Sequence, residues 1–287
     1  MAKTTNVWPK RNRLALSIVV NVEEGAEYNV RDGDKAPEVV DEMGVALRKP
    51  VRNLSNESNY RYGLAAGAPR ILEVLKKNRV HATFTSAALA LERAPELAKA
   101  IVQGGHEVCA HGYRWIQQHD FTEDEERGFI RAAAASIEKT TGRRPKGWLS
   151  RYLITENTRR LLVEEGYSYH MDDFSDDKPF WDQANGKPIV ILPYAIDTND
   201  MKMWANGAFT PDDWLDYLTD TFDVLYRESA SQLRVMSVGL HLRIIGRPGR
   251  IGKLDKFLQY AVKKPGVWFA TRAEITQAWA KAHPFGT

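Results

Sequence analysis

The sequence predicts an α/β fold, a barrel-like parallel sheet surrounded by helices. Short apolar runs alternate with segments of helical spacing along most of the chain. Glu23, Glu24, His111, Trp148, Asp197 and His241 each fall at the end of a predicted strand, where a parallel barrel gathers its site. A length of 287 residues with 43% hydrophobic content suffices for a full core. We read residues 1–287 as one domain, with 25–59 as a long loop insertion.

The first apolar run, 14–22, ends abruptly in Glu23-Glu24-Gly25. Two carboxylates at the tip of a buried strand raise each other's pKa, which suits proton transfer; a strand running out into a solvated loop reads the same way. The polar segment 25–59 follows, with Arg31-Asp32-Gly33-Asp34 as turn chemistry. A loop of that length carries function or a subunit contact. Leu64, Ile71, Leu72, Val74 and Leu75 mark a helix over 62–78, and 80–84 reads as the next strand. A helix over 92–104 leads to a strand at 106–111, ending in His111. Thr122 opens a helix through Thr140, with Glu125 at the capping-box position. Residues 146–149 are strand-like, and 156–165 is helical up to Gly166. Further strands are expected near 167–171, 189–193, 235–241 and 267–270, and helices near 211–228 and 253–263. There is no internal repeat.

Composition narrows the function. The formal net charge is +3 with both signs interspersed, which provides no footprint for nucleic acid or an anionic membrane. A single cysteine, Cys109, rules out internal disulfides and points to a reducing cytoplasm. Strand alternation puts Cys109 on the same face as His111, as a packed small side chain or as a nucleophilic thiol. Lys10, Arg11 and Arg13 before the first apolar run imitate a secretion signal, but the run is short, β-branched and closed by glutamates. No stretch approaches the roughly 20 apolar residues of a membrane span. The expectation is a cytoplasmic protein with no membrane partner.

Glu23-Glu24-Gly25 and His111-Gly112-Tyr113-Arg114-Trp115 resemble two motifs of the polysaccharide deacetylase superfamily. There the strand ends in Asp-Asp-Gly, and a His-Ser/Thr-x-x-His pair binds a metal with the second aspartate. The resemblance implies a distorted (β/α) barrel of the polysaccharide deacetylase type. Trp115 breaks the histidine pair, because indole has no lone pair for coordination. Only Glu24 and His111 keep ligand positions, with Glu23 as a third candidate, whereas a catalytic zinc takes three protein ligands and an open position. The expected cofactor is therefore none; a zinc ion, if held, would fall to Glu24 and His111. His81, His106, His119, His170 and His283 lack ligand spacing and read as structural or solvated.

A narrower resemblance covers 14–279. Glu-Glu-Gly, His-Gly-x-Arg-Trp, Asp197-Thr198-Asn199-Asp200-Met201 and the run 237–250 look like the allantoinase and cyclic-imidase branch, which opens small cyclic ureides or imides. Its allantoinases are regarded as metal-independent and are tetrameric, so the resemblance implies a homo-oligomer here. The chemistry agrees: an imide or hydantoin carbonyl is more electrophilic than an acetamide, and its nitrogen leaves as a stabilised anion. On this reading Glu23 or Glu24 is the base for water, His111 orients it, and His241 is general acid or oxyanion donor.

The candidate substrate-binding residues are Trp115, Trp148, Asp197, Asn199 and Arg243. Asp197, Asn199 and Asp200 suit the N–H and C=O edges of a planar ring, or form an Asx-rich turn. Trp115 and Trp148 suit stacking on the ring, or packing in the barrel rim. Arg243, Arg247 and Arg250 suit a carboxylate product or a neighbouring subunit; Arg247 to Arg250 also reads as a solvated turn before a helix. After Gly147-Trp148 the branch has a glycine-rich stretch, whereas this chain has Leu149-Ser150-Arg151-Tyr152-Leu153-Ile154, a bulkier rim. Two other functions stand beside ring opening: a metal-dependent N-deacetylase of amino sugars or peptidoglycan, and a non-catalytic barrel that only binds.

Overall fold

A computed structural model describes residues 7–204 and 209–286. Among these residues nine strands form one curled sheet: β1 (Leu14–Val22), β2 (Thr83–Ser86), β3 (Glu107–Ala110), β4 (Gly147–Trp148), β5 (Tyr169–His170), β6 (Phe180–Ala184), β7 (Lys187–Ile191), β8 (Arg234–His241) and β9 (Val267–Phe269). The order is β6-β7-β5-β4-β3-β2-β1-β8, with β9 also pairing the start of β1. Every pairing is parallel except the β6–β7 hairpin. β1 is the hub, buried along its whole length. That suits its unbroken Leu, Ile and Val content, since a parallel strand is covered on both faces.

The register levels the carboxyl ends of the strands. Asn21 lies opposite His241 and Thr85, Ala110 opposite both Ser86 and Trp148, and His170 opposite both Trp148 and Ile191. The residues following each strand therefore meet at one rim. Among the described residues no ladder closes the sheet between its two ends, the β6–β7 hairpin and β8, and contacts from the segments at 177 and 198 reach β8 there. The Thr198 hydroxyl donates to the Ser237 carbonyl at 2.6 Å, and the Val235 N–H donates to the Asp177 carbonyl at 2.8 Å. From inside, the fully buried guanidinium of Arg272 donates to the Ser237 hydroxyl and to the carbonyls of Leu192 and Pro193.

The elements differ from the sequence expectation in instructive places. The helix expected over 62–78 begins earlier, at Leu54, and continues through a wide turn at Gly63–Gly67 to Asn78. Its first turns, Leu-Ser-Asn-Glu-Ser-Asn, are too polar to show a helical period, but Asn53 caps them by accepting from the Asn56 N–H. Residues 88–103 form two helices, Ala88–Arg93 and Pro95–Gln103, because proline starts a helix more readily than it continues one. β6 escaped the apolar-run criterion since its residues are only partly buried, although the Asn185-Gly186 turn, with φ of 52° and 70°, is a strong hairpin signal. The last helix, Arg272–Ala282, is opened by a Thr271–Glu274 capping box. The Thr122–Glu125 box stands where it was expected. Among the described residues no helix is long and apolar enough to cross a membrane.

Candidate active site

The levelled rim encloses a cavity of about 390 Å³. Its floor is polar: Asn21, Glu23, His111, Asp172, Asn199 and His241. Its wall and mouth include Val40, Trp115, Leu149, Tyr152, Phe174, Tyr194, Ile196 and Met201.

Glu23 follows the last residue of β1 and sits at the centre of the floor. Its Oε1 is 3.3 Å from Nε2 of His241 and 3.8 Å from Nε2 of His111, while its Oε2 accepts from Arg243 at 2.7 Å. Burial pushes its pKa up, but the charges of His241 and Arg243, with the two imidazole contacts, outweigh that and hold it well below the usual carboxylate range. His241 ends β8. Its Nδ1 is 2.7 Å from Asp200 Oδ1, and the other Asp200 oxygen accepts from the backbone N–H of His241 at 2.8 Å and of Ile245 at 3.1 Å. Burial opposes the charged imidazole, yet Glu23 and Asp200 flanking it raise its pKa to about 10. At neutral pH His241 is an imidazolium held between two carboxylates.

His111 follows β3. Its Nδ1 donates to the Leu149 carbonyl at 2.7 Å, and its Nε2 faces Glu23 Oε1 3.8 Å away. Asp172 follows β5 by one residue. Both its oxygens accept from the Ser150 N–H at 2.9 Å, and burial raises its pKa to about 6. His170 Nε2 lies 3.3 Å from it, but neither ring nitrogen of His170 has a hydrogen-bond partner among the described residues, and burial lowers its pKa to about 3. That ring is neutral, so the contact is not an ion pair.

Several expected site residues are placed elsewhere. Glu24 does not line the cavity. Its Oε2 accepts from the Glu23 N–H at 3.0 Å, and its carboxyl lies so close to Gly63 that a Cβ there would be 2.5 Å from Oε1. Burial raises its pKa, with Arg243 3.5 Å away only partly offsetting this. Trp148 is fully buried among Phe129, Tyr167 and the helix Glu123–Thr141, with its Nε1 donating to Ser150 Oγ. It packs the outer layer and reaches no ligand. Asp197 accepts from the Tyr217 hydroxyl at 2.9 Å and lines a separate groove with Asp176, Asp177 and Lys178. Arg243 does hold a carboxylate, but it is Glu23's own; it lies fully buried under the Tyr60 ring, 4.3 Å from its centroid.

Trp115 lines the cavity, with the Arg151 guanidinium 3.7 Å over its ring. Asn199 both lines the cavity and forms the Asx turn, donating to the Tyr194 hydroxyl and accepting from the Met201 N–H. Asp200, grouped with it in the sequence reading, orients His241 instead. Arg247 and Arg250 contact their own chain: Arg247 stacks 3.7 Å over Tyr62 and donates to Asn59, and Arg250 lies 3.7 Å from Glu42. Their segment opens the helix Pro248–Ala261. Cys109 is fully buried and burial pushes its thiol up, so it is a packed side chain.

The long segment after Gly25 lies over the mouth. Val40 reaches the cavity wall, and Glu38 forms a buried two-point ion pair with Arg151 at 2.6 and 2.7 Å. Arg151 in turn donates to the Trp115 carbonyl at 2.8 Å.

The donor set does not fit a zinc site. The position of the second histidine holds Trp115, stacked under Arg151; Glu24 is turned from the cavity; and Glu23 is engaged by Arg243 and His241. Among the described residues no three His, Cys, Asp or Glu side chains converge as a ligand set.

A polysaccharide deacetylase family model matches residues 58–170. A putative polysaccharide deacetylase of Schizosaccharomyces pombe is 35% identical, over 98% of this chain and 94% of its own length. The chain belongs to the polysaccharide deacetylase family. Two solved structures are similar over nearly the whole length. The crystal structure of PuuE allantoinase shares 41% identity with a TM-score of 0.94, covering 99% of this chain and 96% of that one. A probable polysaccharide deacetylase from Pseudomonas aeruginosa PAO1 shares 43% identity with a TM-score of 0.93, over 97% and 94%. The sheet is the curled (β/α) barrel of these proteins, as the motifs implied.

Proposed function

We propose that the chain is a hydrolase acting on C–N bonds that opens a small cyclic amide, a ureide such as allantoin or a cyclic imide or hydantoin, by attack of water without a metal ion. The observation that carries this reading is the position of Glu23 Oε1 between the Nε2 atoms of His111 and His241 on the cavity floor. Likeness to an allantoinase at 41% identity supports it.

Water held against Glu23 Oε1 beside His111 Nε2 gives a proton to Glu23 as its oxygen attacks the ring carbonyl. His241, protonated at neutral pH, donates from Nε2 to the departing ring nitrogen. A carboxylate with a depressed pKa is a weak base at rest. Glu23 owes that depression chiefly to the charge on His241, so its basicity rises as His241 gives up its proton. The two transfers support each other. Afterwards the proton on Glu23 returns to His241 across their 3.3 Å contact, and the site is restored with one water consumed. Asp200 keeps the imidazole oriented throughout.

The names of the S. pombe and P. aeruginosa relatives favour N-deacetylation as a second reading, which the donor set opposes. The test is hydrolysis of allantoin, hydantoins, succinimide, maleimide and dihydropyrimidines by metal-analysed protein, with and without chelator. Ring opening by metal-free protein in chelator is the expected result. One bound zinc per chain, no ring opened, and an N-acetylated glycan hydrolysed in a chelator-sensitive way would establish the second reading.

A further inference from the structure

The cavity is divided by chemistry along its depth. Asn21, Glu23, His111, Asp172, Asn199 and His241 cluster at the floor, while the outer wall carries Tyr152, Phe174 and Ile196, exposed by 62%, 48% and 43% of their surfaces. Large apolar side chains left open to water beside a pocket mark a surface built to be covered. Tyr152 and Phe174 face each other with ring centroids 6.4 Å apart at 33°. Tyr152 and its neighbour Leu153 have φ of 51° and 54°, a left-handed conformation that is unusual for bulky residues and tends to be kept at ligand sites. The polar side chains of the mouth are the solvated Gln117 and Lys202 and the Tyr152 phenol.

Volume points the same way. A cavity of about 390 Å³ equals roughly a dozen water-sized volumes. A five-membered cyclic imide has roughly seven heavy atoms and fills only the part beside the catalytic groups. A substituent on the ring carbon would extend from the floor towards the mouth.

We infer that Tyr152, Phe174 and Ile196 form a subsite for an apolar substituent, so that the preferred substrate is a cyclic imide or hydantoin bearing a branched alkyl or aryl group. This rests on the ring-opening function proposed above. It predicts discrimination against allantoin, a hydantoin whose ring carries a ureido group. That group's donors and acceptors would lose water against aromatic faces that supply few partners.

The experiment uses substrates that share one ring. Steady-state kcat/KM is measured on the full chain for hydantoin, 5-isopropylhydantoin, 5-benzylhydantoin and allantoin, with succinimide and phenylsuccinimide in parallel. The expected result is a preference of about 10-fold or more for the apolar-substituted member of each series over its unsubstituted parent, carried mainly by KM, with allantoin no better than hydantoin. In Tyr152→Ser/Phe174→Ser that ratio falls towards one. Rings opened with no such preference, or allantoin opened best, would overturn the subsite while leaving ring opening intact. A preference unchanged in the double variant, with a shift in oligomeric state, would assign the patch to a second copy of the chain and also overturn it. If none of the rings opens, the proposed function fails and the subsite falls with it.

Discussion

Asp200 holds His241 at two points and the turn after it at a third: one carboxylate oxygen meets the imidazole Nδ1 at 2.7 Å, while the other takes the backbone N–H groups of His241 and Ile245. The backbone contacts fix the carboxylate, and the fixed carboxylate orients the ring through Nδ1. Its charge is fixed by the same partner, together with Glu23.

On the proposed mechanism, that arrangement sets the alkaline limb of the reaction. Because His241 stays protonated up to about pH 10, kcat/KM for ring opening should fall only above that value. Asp200→Asn removes a negative charge beside the imidazolium, lowers its pKa and moves the limb to lower pH. A full pH–rate profile of both proteins checks this; an unmoved limb would show that another group controls it.

The same shift bears on stability. The folded pKa of about 10 lies above the ordinary 6.5, so the contribution of His241 is fully present below pH 6.5 and is lost as pH rises through about 10. Denaturant midpoints between pH 6 and 10 should therefore decline. His241→Gln should flatten the decline.

Glu23→Gln removes the proton acceptor of the proposed mechanism and should lower kcat by about 10²- to 10⁴-fold. Glu24→Gln should cost less than about 10-fold, because that carboxyl already has a raised pKa and lies outside the cavity. Kinetics on the two variants, with circular dichroism to verify folding, separates them.

Glu38→Ala would leave the buried Arg151 guanidinium without its carboxylate. Breaking such a pair costs about 3–5 kcal/mol. The loss should appear as a lowered denaturant midpoint and as faster amide exchange across 25–53, the segment that Glu38 ties down.

Close backbone approach makes Gly67 intolerant of any side chain. A Cβ there would lie 2.0 Å from the Leu242 carbonyl oxygen, a backbone atom that cannot swing away. Gly67→Ala should destabilise by about 1–3 kcal/mol or more and, through Leu242, disturb the adjacent His241. Thermal melts should show a far larger loss than Gly128→Ala, where a Cβ meets open space.

Much of this site was legible because strand ends are legible. Glu23, His111 and His241 were found as polar residues closing apolar runs, and the parallel register brings their side chains together. What failed was parity. Successive residues of extended backbone point to opposite sides, so Glu23 and Glu24 cannot both face the cavity, and Trp148 goes outward while Leu149 lines it. Asp172 carried the same signal as Glu23, a carboxylate pair closing a strand. The strand expected near 167–171 ends directly before it, but that run, Tyr-Ser-Tyr-His-Met, is too polar to mark the carboxylate as the tip of a buried strand. Asp200 was singled out, but its role depends on a contact across 41 positions that no local pattern encodes.

Trp115 ties three things together: its ring carries Arg151, its carbonyl accepts from the same guanidinium, and its N–H holds Ala26 at the start of the long loop. The residue at the place where the resembled motif has its second histidine is thus a fastening for the segment over the cavity. Trp115→His would restore an imidazole to the motif and at the same moment withdraw the face on which Arg151 rests. On the metal-free function proposed above, acquiring a metal site takes more than this one substitution: the cover would need a new anchor, and Glu23 would have to be released from Arg243.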